Sequence, residues 1–294
     1  MEGEESGEEG VSVMRRQGRS PTPLSSGRRA AMVRPNAAGR LPVSQSRNRQ
    51  AETGDDTART GRGRMELQGL LFDKDGTLFD FGATWDGWAA GVIATLSDGD
   101  AALAQAMAAS ARYDLERLTF EPDSPVIAGT AREAAECFAR VLPGRSVEQV
   151  ERFLDAAARN APLAPAVPLA PLLGALIARG LRLGVVTNDT ETSARAHLAA
   201  VEVTGLFDFI AGFDSGYGMK PDPAPLLAFA SAVEIPPEDV VMVGDSTHDL
   251  IAGRAAGMVT VGVLTGPARA DALAPHADAV LADIGHLPDW LDGR

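Results

Sequence analysis

Five short, almost uninterrupted apolar runs limit what this chain can fold into more than any other feature. L-Q-G-L-L-F-D occupies 67–73, and runs of the same kind recur at 181–187 (L-R-L-G-V-V-T), 207–212 (F-D-F-I-A-G), 240–245 (V-V-M-V-G-D) and 259–264 (V-T-V-G-V-L). A strand that is apolar throughout, rather than at alternate positions, has both faces buried, as in a parallel sheet covered by helices on each side. The intervening stretches carry helical patterns: 171–180, with Gly180 as C-terminal cap, then 192–200, 224–233 and 249–257. Strands alternating with helices predict a doubly wound, Rossmann-like α/β domain.

The stretch 84–166 breaks that rhythm. It is rich in alanine and has helical periodicity without a clear strand, at 84–96, 100–118, 130–142 and 146–159. Thr130 and Ser146 stand where N-caps belong, each with a side chain able to close a capping box three residues on, Glu133 and Gln149. The expected layout is therefore an α/β core from 65–83 and 167–294, with an all-helical second domain at 84–166 inserted after the first strand. Residues 1–64 hold 12 Arg against 8 Asp and Glu and no aromatic residue. Such a segment cannot bury enough apolar area to order itself. Either it is a partner-binding arm, or the native product begins at Met65, which opens a strand almost at once; the second reading is preferred.

Charge and cysteine content narrow the function. The chain carries a net charge of −13, and 65–294 alone is more acidic still, with 15 Lys and Arg against 32 Asp and Glu. That field repels nucleic acid and anionic membranes, so any anionic substrate must be attracted locally. No apolar stretch is long enough for a transmembrane helix, and the acidic start is unlike a secretory signal, so the expected location is the cytoplasm. The single cysteine, Cys137, lies in a helical pattern and reads as a small buried side chain. The four histidines are scattered, without the spacing of a zinc site.

In an open α/β sheet, ligands bind at the carboxyl ends of the strands. Four such ends here are chemically distinctive: Asp73 and Asp75 in D-K-D-G-T, Thr187-Asn188, Lys220 in G-M-K-P-D-P, and Asp245 and Asp249 in G-D-S-T-H-D. Singly, each has a plain structural reading as a turn, a cap or a solvated loop charge. Together they do not, because clustered carboxylates repel unless a cation neutralises them. Phosphate-monoester hydrolysis needs this set: a carboxylate nucleophile, a second carboxylic acid for the leaving alkoxide, a hard dication held by oxygen, and donors for the phosphoryl oxygens.

These four motifs, in this order, resemble the haloacid dehalogenase superfamily in its phosphatase branch, over 67 to about 287. The resemblance implies Asp73 as nucleophile and Mg²⁺ ligand, and Asp75 as general acid/base with its backbone carbonyl on the metal. It further implies Thr187, Asn188 and Lys220 as the phosphoryl-binding groups, and Asp245 and Asp249 as the remaining metal ligands. Dehalogenases of the family lack a residue like Asp75, so phosphate chemistry is favoured. The helical insert resembles the family's cap, with 78–83 as its hinge and Trp85, Trp88 and Arg112 as candidates to face a substrate; for the two tryptophans a core role is the stronger reading. Lys74 is a departure from a usually apolar position, expected to point away from Asp73 and Asp75 and to pack its stem beneath the cap. His248 is expected to face solvent. Among capped members the chain most resembles phosphoglycolate phosphatases, which implies a small phosphorylated metabolite as substrate. Two rivals stay open, a phosphosugar mutase and a non-catalytic scaffold using the arginine-rich tail. A phosphonate-cleaving enzyme is excluded, since no lysine lies between Lys74 and Lys220 to form a Schiff base.

Overall fold

The computed structural model describes residues 66–127 and 129–294. The expectations for the tail and for Met65 lie outside them. In chain order the elements are β1 (Gly69–Phe72), α1 (Phe81–Ser97), α2 (Ala101–Ala111), β2 (Tyr113–Asp114), β3 (Thr119–Phe120), α3 (Ala131–Ala139), α4 (Val147–Ala158) and α5 (Leu169–Ala178). There follow β4 (Arg182–Val186), α6 (Glu191–Ala200), β5 (Phe209–Ala211), α7 (Ala224–Ala232), β6 (Val240–Gly244), α8 (Thr247–Ala256), β7 (Val259–Val263), α9 (Ala270–Leu273), β8 (Ala279–Leu281) and α10 (Leu287–Asp292).

Six strands form one sheet in the order β5-β4-β1-β6-β7-β8, and every pairing is parallel. The apolar runs are explained by what covers them. Leu70 and Phe72 of β1 point to a core containing Leu173 and Leu176 of α5 and Leu198 of α6. Leu71, between them, packs on the other face with Phe229 of α7 and Ala252 of α8. Successive side chains on one strand thus meet helices on opposite sides, as the doubly wound fold requires. The strand order reverses on either side of β1, and that crevice is where such sheets bind ligands.

Helices α1 to α4 share a separate core around Trp85, Ile93, Met107, Phe138 and Leu154. Both expected capping boxes are present, Thr130 with Glu133 on α3 and Ser146 with Gln149 on α4. The segment is not purely helical. The expected helix 100–118 stops at Ala111, where Arg112 turns left-handed at φ 50°. The chain then forms a two-stranded antiparallel ribbon, β2 with β3. Asp114 accepts from the backbone N–H of Glu116 and Arg117, and Tyr113 and Phe120 stack edge to face at 5.0 Å between ring centres. An aspartate that turns the backbone and two aromatics that pair across strands outweigh the local helical pattern.

Helix α1 also starts earlier than the pattern suggested, at Phe81, because Asp80 caps it by accepting from Ala83 N–H at 2.8 Å. The expected hinge 78–83 is thus helical over its second half. Strand β8 and helices α9 and α10 were not foreseen; β8 is three residues long and only half buried, so its apolar signal is weak. Cys137 is a free thiol, buried as expected. Among the described residues, no helix is long and apolar enough to cross a membrane.

The α4 cap offers a direct stability test. Ser146→Ala should lower the unfolding free energy by about 1 kcal/mol, and Ser146→Gly by only a few tenths. Urea denaturation should show this as a shift in midpoint at constant slope.

Candidate active site

The parallel register brings the ends of the central strands level. Phe72 of β1 lies beside Val185 of β4 and Val243 of β6. Asp73 continues the ladder by donating its N–H to Val243 C=O at 2.9 Å, and Thr187 does the same to Ala211 C=O at 3.0 Å. The chain then turns away through Gly76, whose φ of +82° suits glycine and where a Cβ would collide with the Asp245 carboxylate. Asp245 follows the end of β6. All seven residues singled out in the sequence, Asp73, Asp75, Thr187, Asn188, Lys220, Asp245 and Asp249, line one cleft of about 40 Å³.

At its floor the Lys220 ammonium lies 2.6 Å from Asp73 Oδ1, 2.6 Å from Asp249 Oδ1 and 2.8 Å from Val186 C=O. Its three N–H donors are thus all used. The backbone of Lys220 is clamped by the Asn188 side chain, which accepts from its N–H and donates to its C=O, both at 3.0 Å. Asp249 serves twice. Its Oδ2 closes a capping box with Ser246 at the start of α8, while Oδ1 meets Lys220. The Thr187 hydroxyl accepts from Asp189 N–H at 3.1 Å.

Asp73, Asp245 and Asp249 each place a carboxylate oxygen within 4.8 Å of the others, and all three are buried. Burial raises Asp73 to about 7; Lys220 opposes this, while Asp249 and Asp75 add to it. Asp245 is pushed well above the usual carboxylate range, first by burial and then by the negative charge of Asp73 and Asp249. Lys220 is held above its ordinary value, since Asp249 and Asp73 outweigh the effect of its burial. A buried set of hard oxygen donors, with more negative charge than one lysine can neutralise, fits a small divalent cation.

Asp75 is not in that cluster. Its carboxylate accepts from Trp85 Nε1 at 2.9 Å and is paired with Lys74 Nζ at 2.7 Å. This corrects the expectation for Lys74. The residue is 0% exposed, and its ammonium turns toward Asp75. It also pairs with Asp189 at 3.1 Å and contacts His197 Nδ1 at 3.0 Å. Burial alone would lower the Lys74 pKa, but Asp75 and Asp189 more than offset that and raise it. His197, fully buried, is pulled down by burial and by Lys74, so it sits neutral against the ammonium. Strand alternation failed here because Lys74 lies past the end of β1, in a turn that is free to fold its side chain back. Asp189 and His197 were missed. The signal for Asp189 was its place directly after Thr187-Asn188; His197 carried none, since only packing of α6 against the site brings it near. His248, expected in solvent, is half buried and borders the cleft.

A second cavity of about 100 Å³ opens beside Asp75 and Asp189, walled largely by α1, α3 and α4. Trp85 and Trp88 both line it and also belong to, or pack on, the helical core. Arg112 does not line it and instead pairs with Glu121 and Asp123 at the surface.

A family profile described as haloacid dehalogenase-like hydrolase matches residues 67–257. A phosphoglycolate phosphatase of Rhodospirillum rubrum is 41% identical over 120 residues, which is 41% of this chain and 50% of that protein. One from Salmonella paratyphi A is 37% identical over 115 residues, 39% of this chain and 46% of that protein. The chain thus spans about half the length of these curated relatives. A crystal structure of a HAD family hydrolase of Deinococcus radiodurans, with bound phosphate and sodium, superposes with a TM-score of 0.57 at 23% identity, covering 78% of this chain and 97% of that one. The fold, the strand-end residues and the profile agree, and the chain belongs to the haloacid dehalogenase-like hydrolases.

Proposed function

We propose that this protein is a Mg²⁺-dependent phosphatase that hydrolyses a small organic phosphate monoester through an aspartyl-phosphate on Asp73. The observation that carries this reading is the pairing of two carboxylates with separate surroundings. Asp73 lies in the buried cluster with Lys220, whereas Asp75 is held apart by Trp85 and Lys74. Asp73 is thereby placed to attack, and Asp75, which must enter the reaction protonated, is placed on the leaving-group side for proton transfer.

Asp73 attacks phosphorus in line with the leaving oxygen, and Asp75 gives that oxygen its proton. The ester leaves as an alcohol and the phosphoryl group stays on Asp73. Asp75, now a carboxylate, takes a proton from the water that attacks the acyl phosphate, releasing phosphate and restoring Asp73. Lys220, the Thr187 hydroxyl and the Asn188 backbone N–H hold the phosphoryl oxygens and offset the charge that builds there. Asp73, Asp245 and Asp249, with the Asp75 carbonyl, would hold Mg²⁺, which when bound offsets repulsion between nucleophile and phosphate. In this reading 65–83 and 167–294 are the catalytic core and 84–166 is a cap that shields the site from water. The names of the curated relatives make phosphoglycolate the reference ester. A cytoplasmic setting suits the single, buried thiol.

Phosphate release from a panel of small esters should require Mg²⁺ and stop with EDTA. Asp73→Asn should lower turnover by at least about 10³-fold while leaving thermal unfolding of the metal-free protein no less cooperative. Isomerised product without free phosphate would point to a mutase instead. A further prediction follows from Asp73, raised to about 7. A protonated carboxyl must lose its proton to bind metal, so Mg²⁺ affinity should rise as pH increases through about 7, where Asp73 gives up its proton. Calorimetry in buffers of different ionisation enthalpy should register proton release on Mg²⁺ binding below about pH 7.

A further inference from the structure

The cavity beside Asp75 has a chemical character opposite to that of the cleft it adjoins. Its walls are mostly apolar, including Phe81, Trp85, Trp88, Phe120 and Leu154. Among the described lining residues there is no Lys, Arg or His, and the charged ones, Asp75, Asp155 and Asp189, are all acidic. The nearby cations are already engaged. Lys74 is committed to Asp75 and Asp189, and Arg159 pairs with Asp155 at 2.5 Å. Trp88 also lines the cavity, presenting the indole as part of its apolar wall.

Four of the lining residues, Asp75, Ile127, Gly129 and Asp189, also line the phosphoryl cleft, so the two spaces meet at the proposed proton donor. A monoester with its phosphoryl group over Asp73 therefore has its alcohol portion in this cavity. We infer that the cavity is the leaving-group subsite and that it selects an uncharged, partly apolar alcohol in preference to an alcohol bearing a carboxylate. This inference rests on the phosphatase reading above and narrows its substrate class. A carboxylate in this space would lose its hydration, find no cation, and face three acidic residues. A neutral group forfeits far less hydration and meets no repulsion from these residues. With a volume of about 100 Å³, well below the ~300–1,000 Å³ of drug-sized sites, the cavity suits a small alcohol rather than a nucleoside.

The test compares two esters of nearly equal shape, phosphoglycolate and its carboxamide, with full-length protein and Mg²⁺. The carboxamide should have the higher kcat/KM, by about tenfold or more. Ile127→Arg, a change at a half-buried loop residue lining both spaces, should narrow or reverse that preference by supplying a cation. If phosphoglycolate is hydrolysed as efficiently as the carboxamide or better, the inference is overturned and the phosphatase reading stands. If neither ester nor p-nitrophenyl phosphate releases phosphate, both are overturned.

Discussion

Asp73, Asp245 and Asp249 are held close together where almost no water reaches them, and their mutual repulsion is the constraint around which the site is arranged. One ammonium group, that of Lys220, touches two of the three and uses its last proton on the Val186 carbonyl. Removing that lysine would strand the buried carboxylates, a change that typically destabilises by about 3–5 kcal/mol. The surrounding backbone reflects the same crowding. Gly76 and Gly266 both press against the Asp245 carboxylate, where a Cβ would collide with it. Asn188 grips the backbone of Lys220, and the first turn of α8 aims Asp249. Even so, burial holds the Asp73 carboxyl up at about 7, with Lys220 opposing and Asp249 and Asp75 adding to the rise.

A second buried cation divides the chemistry. Lys74 takes up Asp75 and Asp189, with neutral His197 behind it and the Trp85 ring 5.5 Å away. The two aspartates of D-K-D are two residues apart in sequence yet answer to different lysines. Asp73 faces the phosphoryl cleft with Lys220, and Asp75 faces the helical segment with Lys74 and Trp85. This separation gives two identical side chains different surroundings, Asp73 at the phosphoryl cleft and Asp75 at its junction with the helical segment. It also ties the helical segment to the sheet, since the Trp85–Asp75 bond and the contact of His197 Nε2 with the Ala158 carbonyl cross between them.

Much of this organisation was legible in the chain itself. Five of the six core strands announced themselves as apolar runs, because a strand buried on both faces has no alternation to dilute the signal. The α3 and α4 starts were readable because a capping box is a local interaction spanning four residues. The residues that converge on the cleft could be chosen because strand ends in this topology share one edge. The ribbon at Tyr113–Phe120 was not readable: the residues before it have strong helical pattern, and what diverts them is an aromatic pairing and an aspartate turn. Strand β8 escaped notice because it is short and half exposed.

The amino-acid order alone therefore settled the parallel α/β architecture, the insertion after β1 and the set of strand-end residues, since each depends on local periodicity or on a rule of topology. Only the tertiary structure decided that Lys74 turns back to Asp75, that Asp189 and His197 join it, and that the helical segment offers the site an apolar cavity without a cation. These outcomes depend on side chains distant in sequence sharing a place with little water. There, which charges are paired is decided by three-dimensional proximity and the cost of burial, and neither is written in the spacing of residues along the chain.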